Sequence, residues 1–278
     1  MVLEQNITFS TWADGKKLES YPENYLDPTV CLGQTAMMEQ MQQQLGQAQI
    51  NTDTVGDAFM EYLTGFEEVA NLETVSGYHD NEDPEEGKTW FVGRTQLTPR
   101  EYWWRSVDEG KRNQEGVLPA NAWTGWNKIT CAPQPFSRLI RPVVYKTRLY
   151  IGWVERTRYA TEKSATGEEI AWKYRWELKI SWLRYDKGWS QPAVYEYPAD
   201  DADKLEALVA EPDGLSLYLT VWPAQQMMIA GVYKKGTDSE EDFKGEVNIY
   251  EDMSISAGGA AAANWVSLVQ VRDTAEVD

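Results

Sequence analysis

The sequence predicts a mainly β fold, with antiparallel sheets in a blade-like or sandwich arrangement, preceded by a short helical hairpin. Three observations support this prediction. From Trp172 to Trp182, large apolar side chains alternate with charged or hydroxylated ones, the period of a strand that buries one face. The turn-forming triplet 186–188 (Asp-Lys-Gly) follows, and Trp189 is expected to open the return strand. From Glu73 onward, a period of two dominates most of the chain.

Two helices are expected before the β region. The segment 51–54 (Asn-Thr-Asp-Thr) is a helix start signal, in which Thr54 and Asp57 are spaced as a capping box. A short connection makes the two helices antiparallel neighbours. The apolar positions at helical spacing are Met37, Met38, Met41, Leu45 and Ala48 in the first helix, and Val55, Phe59, Tyr62, Leu63, Phe66 and Val69 in the second.

The β region divides into three units of similar rhythm. Strands are expected at 89–93, 101–106 and 123–129, then at 143–145, 148–154, 172–182 and 192–195, and finally at 215–222, 227–233 and 246–250. Such units of about 45 residues resemble propeller blades. A closed propeller typically has at least about four blades. Three units therefore leave open sheet edges, which we expect to pack against other polypeptide chains or segments.

Three divisions of the chain follow from these patterns. Residues 1–72 are expected to form a leader and the helical hairpin, and residues 73–256 the antiparallel β region. Residues 257–278 begin with a low-complexity Ala/Gly run and are expected to form a linker and a terminal strand or tail.

Composition excludes several classes of protein. The 44 acidic residues outnumber the 26 basic ones, and the net charge of −18 disfavours binding to nucleic acid. No apolar run is long enough for a transmembrane helix, and the first residues lack the features of a classical signal peptide.

Cys31 and Cys131 are too few for a disulfide framework, so we expect two reduced thiols.

Several long motifs resemble one known family. They are YPENY (21–25), YHDN (78–81), YWWRSVD (102–108), ANAW (120–123), IRPVVY (140–145) and RLY (148–150). In this order, and after a similar helical pair, they resemble the neuraminidase-like region of the A subunit (TcA) of bacterial insecticidal toxin complexes. The resemblance covers nearly the whole chain and weakens in the loop 159–170 and after Met253.

The resemblance implies a role in a large assembly. Such A subunits form a bell-shaped pentamer with a translocation channel, an outer shell and receptor-binding domains, and they work with B and C toxin components. The neuraminidase-like region closes the base of the shell, where charge changes with pH help release the channel. We therefore expect a non-enzymatic shell or scaffold module of a secreted or cell-surface-associated toxin, whose partners are other chains or segments of the A subunit.

The residues do not favour catalysis, despite the family name. A sialidase needs an arginine cluster, a general acid and a Tyr–Glu nucleophile pair, and Arg141 is better explained as a structural residue. His79 is the only histidine, which eliminates a His-pair zinc site. Residues 200–205 fail the calcium-loop pattern and are better explained as a capped helix start. No cofactor motif is present, and we expect no cofactor.

Two other functions stay open. Exposed Trp rings could stack on sugars, so the alternative is a carbohydrate-binding module that recognises a host glycan or receptor, although most Trp residues lie on strand faces where core packing explains them. A glycosidase is the third possibility.

Acidic loops are the candidate functional residues. Ionised carboxylates massed on loops repel across an interface and lose their charge only in acid. A soluble acidic coat is the alternative explanation. The candidate pH-responsive residues are Asp80, Glu82, Asp83, Glu85 and Glu86 in one loop, and Asp238, Glu240, Glu241 and Asp242 in another.

Overall fold

The computed structural model describes residues 36–47, 51–113, 115–163, 169–210, 214–222, 225–235 and 243–258. It contains three α-helices in these ranges: α1 (Ala36–Gln47), α2 (Thr52–Ala70) and α3 (Ala199–Ala207). None of these described helices has the length and apolarity needed to cross a membrane. Cys31, the leader motif 21–25 and the predicted terminal strand lie outside the described residues.

Within the described residues, twelve strands form three antiparallel sheets of four strands, which confirms the predicted fold class. The first sheet has the order β1-β2-β3-β4, the second β5-β6-β7-β8, and the third β12-β11-β10-β9. Each sheet is therefore one of the three units expected from the sequence. The strands are β1 (Glu73–His79), β2 (Lys88–Arg94), β3 (Tyr102–Asp108), β4 (Asn127–Lys128), β5 (Ile140–Tyr145), β6 (Arg148–Lys163), β7 (Glu169–Trp182), β8 (Ala193–Glu196), β9 (Leu215–Trp222), β10 (Met227–Lys234), β11 (Phe243–Ile249) and β12 (Ile255–Ala257).

The second sheet lies between the other two, because one of its faces shares a buried cluster with the first sheet and the other face shares one with the third. Trp153 of β6 packs in a cluster shared with the first sheet, whereas its neighbour Val154 packs in a cluster shared with the third. On β7, both Ile180 and the adjacent Ser181 are fully buried, and the Ser181 hydroxyl donates to the Ser190 carbonyl at 2.9 Å. The core therefore contains two apolar layers, one on each side of the second sheet. A third buried cluster lies on the other face of the third sheet and contains Tyr218, Met227, Ile229 and Tyr233.

The sheets are arranged like propeller blades, with the first strand of each beside the first strand of the next. Glu73 at the start of β1 forms an ion pair with Arg138, just before β5. Near the start of β5, Arg141 Nη1 donates to the Leu217 carbonyl of β9 at 3.4 Å. At the far end of β5, the Tyr145 hydroxyl donates to the carbonyl of Gln226, just past β9. The three first strands consequently run in the same direction.

The helix start at Asn51 is confirmed, but the predicted capping box is wrong. The Asn51 side chain accepts hydrogen bonds from the backbone N–H groups of Asp53 and Thr54, and the Thr54 hydroxyl accepts one from the Asn51 N–H. The box is thus Asn51 with Thr54, not Thr54 with Asp57, because Thr54 is already the third residue of the helix.

The predicted apolar stripe of α2 is largely exposed. The face turned toward α1 includes two small residues: Ala58 is buried, and a Cβ added to Gly65 would lie 3.0 Å from the Met37 sulfur. Glu61 on the same side accepts hydrogen bonds from Gln40 and Gln44 of α1. Small side chains let the two helices approach closely. Consequently the bulkier Phe59 and Phe66 point away from α1 and remain about half exposed.

The long alternating strand is confirmed as β7, with Trp176 buried at its centre and Trp172 exposed at its outer end. The predicted 186–188 turn is also confirmed, since Arg184 N donates to the Gly188 carbonyl and Lys187 has a φ of 63°. Trp189, however, makes only an isolated bridge, and the return strand begins at Ala193.

Helix α3 contains the predicted helix start at residues 200–203. Pro198 occupies the N-cap and makes no side-chain capping bond, so the expectation of a capped start is wrong. A proline at this position has no N–H of its own to satisfy, and Asp200 and Asp201 instead lie in the first turn, where they complement the helix dipole.

Candidate functional site

The first acidic loop connects β1 to β2 and is held by its own carboxylates. The two oxygens of Asp80 accept hydrogen bonds from Lys88 N at 2.6 Å and from Trp90 Nε1 at 3.1 Å. The turn back into β2 needs Gly87, whose φ is +76° and whose missing Cβ would lie 2.6 Å from the Cβ of Asn81. Asp80 therefore acts first as a structural residue of this loop.

The other acids of this loop divide into two kinds. Asp83 caps the turn, because its Oδ1 accepts a hydrogen bond from Glu85 N at 2.9 Å. The side chains of Glu82, Glu85 and Glu86 belong to exposed residues of the loop surface. The predicted group of five thus comprises two carboxylates used in loop structure and three carried on its surface.

His79, the only histidine, links this loop to the interior of the first sheet. Its Nε2 lies 2.9 Å from the Asp83 carbonyl oxygen, and its Nδ1 lies 3.0 Å from the Thr89 hydroxyl. Thr89 donates to the buried Glu109 at 2.7 Å, and Glu109 also accepts from Arg112 at 2.6 Å. Four side chains from separate parts of the chain therefore form one continuous network.

The second acidic loop, with Asp238, Glu240, Glu241 and Asp242, lies outside the described residues. The residues that flank it, Lys235 and Phe243, are described. Lys235 N donates to the Gly214 carbonyl at 2.7 Å, next to the start of β9. The first loop instead follows the end of β1. The first strands β1 and β9 run in the same direction. The first loop lies where β1 ends and the flanks of the second loop lie where β9 begins, so the two are at opposite ends of the blades.

Arg141 occupies a structural position between blades. Its Nη1 donates to a carbonyl of β9, while its Nε is buried and meets no acceptor in the described part of the molecule. Two other arginines, Arg94 and Arg138, are both paired with Glu73. Across the described ranges, no three His, Cys, Asp or Glu side chains are grouped to hold a metal ion.

Most tryptophans pack in the core, as expected. Trp153 and Trp176 are almost fully buried, and Trp103 and Trp189 nearly so. Trp172 is 44% exposed, but the Arg158 guanidinium lies 3.6 Å from its ring centroid and covers one face. These contacts give the aromatic residues a packing role.

One aromatic cluster was missed by sequence reasoning. The Arg105 guanidinium lies between the rings of Trp123 and Trp126, 4.5 and 4.6 Å from their centroids, and 6.0 Å from Phe91. Burial lowers the pKa of Arg105. The Trp-Thr-Gly-Trp spacing of 123–126 was the available signal, but only the fold brings it beside β3.

Comparisons with known proteins agree with this architecture. The family model described as the neuraminidase-like domain matches residues 72–235. Toxin subunit YenA2 of Yersinia entomophaga is 33% identical over 207 residues, which cover 74% of this chain and 15% of that protein.

The cryo-EM structure of Morganella morganii TcdA4 matches with a TM-score of 0.69 and 34% identity, over 98% of this chain and 11% of that one. The chain thus spans a small part of the relatives that it matches. The resemblance found in the sequence is confirmed: the chain belongs to the neuraminidase-like domain family and corresponds to the neuraminidase-like region of toxin-complex A subunits.

Proposed function

We propose that this chain is a non-enzymatic shell module of a Tc-type insecticidal toxin A component. Its partners are the other chains or segments of a pentameric A subunit, together with the B and C components, in a secreted or cell-surface-associated assembly. The similarity to a toxin subunit that is several times longer carries this proposal. The three blades support it, because an incomplete set leaves sheet edges for neighbouring polypeptide.

We also propose the division of the chain given above, with a leader and helices at 1–72, a β region at 73–256 and a terminal segment at 257–278. The three sheets run from Glu73 to Ala257, which supports the first boundary and ends one residue beyond the second. Limited proteolysis tests it, with cleavage expected near these two boundaries before any cleavage within the sheets.

The loop between β1 and β2 is proposed to make the assembly respond to pH. Glu82, Glu85 and Glu86 are exposed and add negative charge to a strongly acidic chain. Facing a like-charged subunit, they favour separation when ionised. The His79 network keeps the loop attached to the sheet, so that this charge is presented at a defined position.

Charge-neutralising substitutions test this role in the parent assembly. The triple change Glu82→Gln, Glu85→Gln and Glu86→Gln removes three charges and leaves the Asp80 and Asp83 hydrogen bonds in place. We expect the triple variant to open only at a higher pH, since less repulsion remains at each pH; negative-stain microscopy over a pH series gives the open fraction. An unchanged opening pH would count against the pH role.

A matched control changes three exposed acids elsewhere, Glu115, Asp200 and Asp203, to their amides. It keeps the same total charge as the test variant and should open at the wild-type pH. Equal shifts in both variants would indicate a net-charge effect instead of a loop effect.

Assembly and the alternative functions have separate measurements. Light scattering of the chain mixed with the neighbouring gene products should show a complex heavier than the chain alone. Micromolar binding on a glycan array would favour the carbohydrate-binding alternative. Turnover of a fluorogenic sialoside, lost on Arg141→Ala, would favour a glycosidase.

A further inference from the structure

Helix α2 carries an apolar stripe that nothing in the described part of the chain covers. Val55, Phe59, Leu63 and Phe66 are 41, 52, 43 and 54% exposed, respectively. They recur every three or four residues along three turns of a 19-residue helix. A continuous apolar surface of this kind on a soluble domain marks an interaction site, whereas single exposed apolar side chains do not.

The stripe has a defined place on the helix. At about 100° per residue, Val55, Phe59, Leu63 and Phe66 lie within about 80° of one another. On one side they border the face of Ala58 and Gly65, which packs on α1. On the other side, about 40° and about 80° beyond Leu63, lie the exposed acids Glu67 and Asp53. Glu61 instead lies on the α1 side, where it accepts hydrogen bonds from Gln40 and Gln44. The surface is thus apolar with one acidic edge.

The charge of this region selects the chemistry of the partner. Helix α2 contains five acids and no Lys or Arg, and residues 18–87 contain 15 acids and no Lys or Arg. A second copy of the chain would bring two such acidic edges together, which like-charge repulsion opposes. A partner with Lys or Arg beside its own apolar stripe would complement both features of the surface.

Chain length indicates where this partner lies. This chain spans 15% of the length of YenA2 and 11% of TcdA4, so most of such a subunit is available to cover the stripe. A straight three-turn stripe fits another helix, whose side-chain ridges pack into its grooves. We propose that α2 binds a basic amphipathic α-helix from the remainder of the parent toxin subunit. This inference rests on the proposed shell function.

The binding chemistry can be tested on the whole chain with a synthetic helix. The probe is a fluorescent peptide of about 18 residues with Leu at i, i+3, i+4 and i+7 spacing and Lys on both flanks. Its matched control replaces each Lys with Glu. We expect anisotropy to show binding of the Lys peptide and at least about tenfold weaker binding of the Glu peptide, with the Lys complex weakened by added salt.

Substitutions locate the site. The double change Phe59→Glu and Phe66→Glu should weaken binding at least about tenfold, and hydrogen exchange should show peptide-dependent protection within 55–66. Because both side chains are about half exposed, the helix should still form, which circular dichroism checks. Leu97→Glu, at an apolar residue that is 82% exposed in the β2–β3 loop, is the matched control and should bind as wild type.

Three outcomes would overturn the proposal. These are no binding of the Lys peptide, equal binding by the double variant, and concentration-dependent dimers that the double variant abolishes, which would make a second copy the occupant. If the chain forms no complex with the neighbouring gene products but the Lys peptide still binds at α2, the proposed shell function is contradicted. The proposal for the α2 surface is then still supported.

Discussion

Arg156 of β6 and Glu206 of α3 form a two-point ion pair that fastens α3 to the second sheet. Arg156 Nε lies 3.0 Å from one Glu206 oxygen, and its Nη2 contacts the other. The same guanidinium lies 3.4 Å from the ring centroid of Tyr174, and Trp176 Nε1 donates to Glu206 at 3.2 Å. One carboxylate thus accepts hydrogen bonds from two side chains of the sheet, Arg156 and Trp176.

Glu206→Ala should therefore destabilise the fold. The substitution leaves the Arg156 guanidinium and the Trp176 N–H without their acceptor. We expect a loss of about 2 kcal/mol in the free energy of unfolding. Removing one partner of a fully buried ion pair would cost more, but Glu206 is partly exposed. Urea denaturation followed by Trp fluorescence measures it. The control Asp201→Asn breaks the Asp201–Lys204 pair on the same helix and weakens only a surface ion pair and one helix-dipole contact, so it should lower the midpoint much less.

Gly152 sets the distance between the second and third sheets. A Cβ at this position would lie 2.7 Å from Cδ2 of Leu219, which is almost fully buried. Gly152→Ala should therefore lower the free energy of unfolding by about 1–3 kcal/mol through overpacking. Gly46→Ala in α1 meets no atom within 4 Å and should instead raise it by about 0.5 kcal/mol. Denaturation midpoints that move in the same direction would contradict this account.

The stacking of Arg105 between Trp123 and Trp126 depends on a planar guanidinium. Arg105→Lys keeps the charge but loses the stacking on both faces, so we expect a loss of about 1 kcal/mol in the free energy of unfolding. Arg158→Lys, at the partly exposed Trp172, should cost less. Thermal unfolding of the two variants gives the comparison, and equal melting temperatures would show that stacking contributes nothing at Arg105.

Cys131 should react slowly with alkylating reagents. Burial raises the pKa of its thiol, an effect that a hydrogen bond with Ser181 only partly offsets. A raised pKa leaves less thiolate at any given pH, so the alkylation rate stays below that of free cysteine at pH about 8 and rises at higher pH. Iodoacetamide labelling of the Cys31→Ser variant, followed by mass spectrometry, measures it. Urea-unfolded protein is the control and should react at the rate of a free thiol.

Local patterns predicted much of the fold. The strand at 172–182 and the turn at 186–188 were predicted because both depend on neighbouring residues only: a period of two buries one face, and a short turn needs particular residue types. The helix start at Asn51 was found for the same reason. Its capping partner was misassigned, since several residues near it could form the box.

The candidate site could be predicted less well. The loop 80–86 was identified by composition, but nothing local separates Asp80, which bonds Lys88 and Trp90, from the surface acid Glu82. The His79 network also joins residues from β1, β2 and the turn after β3. These contacts exist only once the strands are paired.

The sequence by itself determined three blade-sized sets of strands, an acidic chain and the family to which it belongs, because periodicity, charge and motifs are properties of neighbouring residues. Only the tertiary structure decided which face of each element is covered. Packing through Ala58 and Gly65 turned the larger side chains of α2 outward. The clusters that the second sheet shares with the first and with the third placed it between them. Burial depends on what lies opposite each face, and residues distant in the chain supply it.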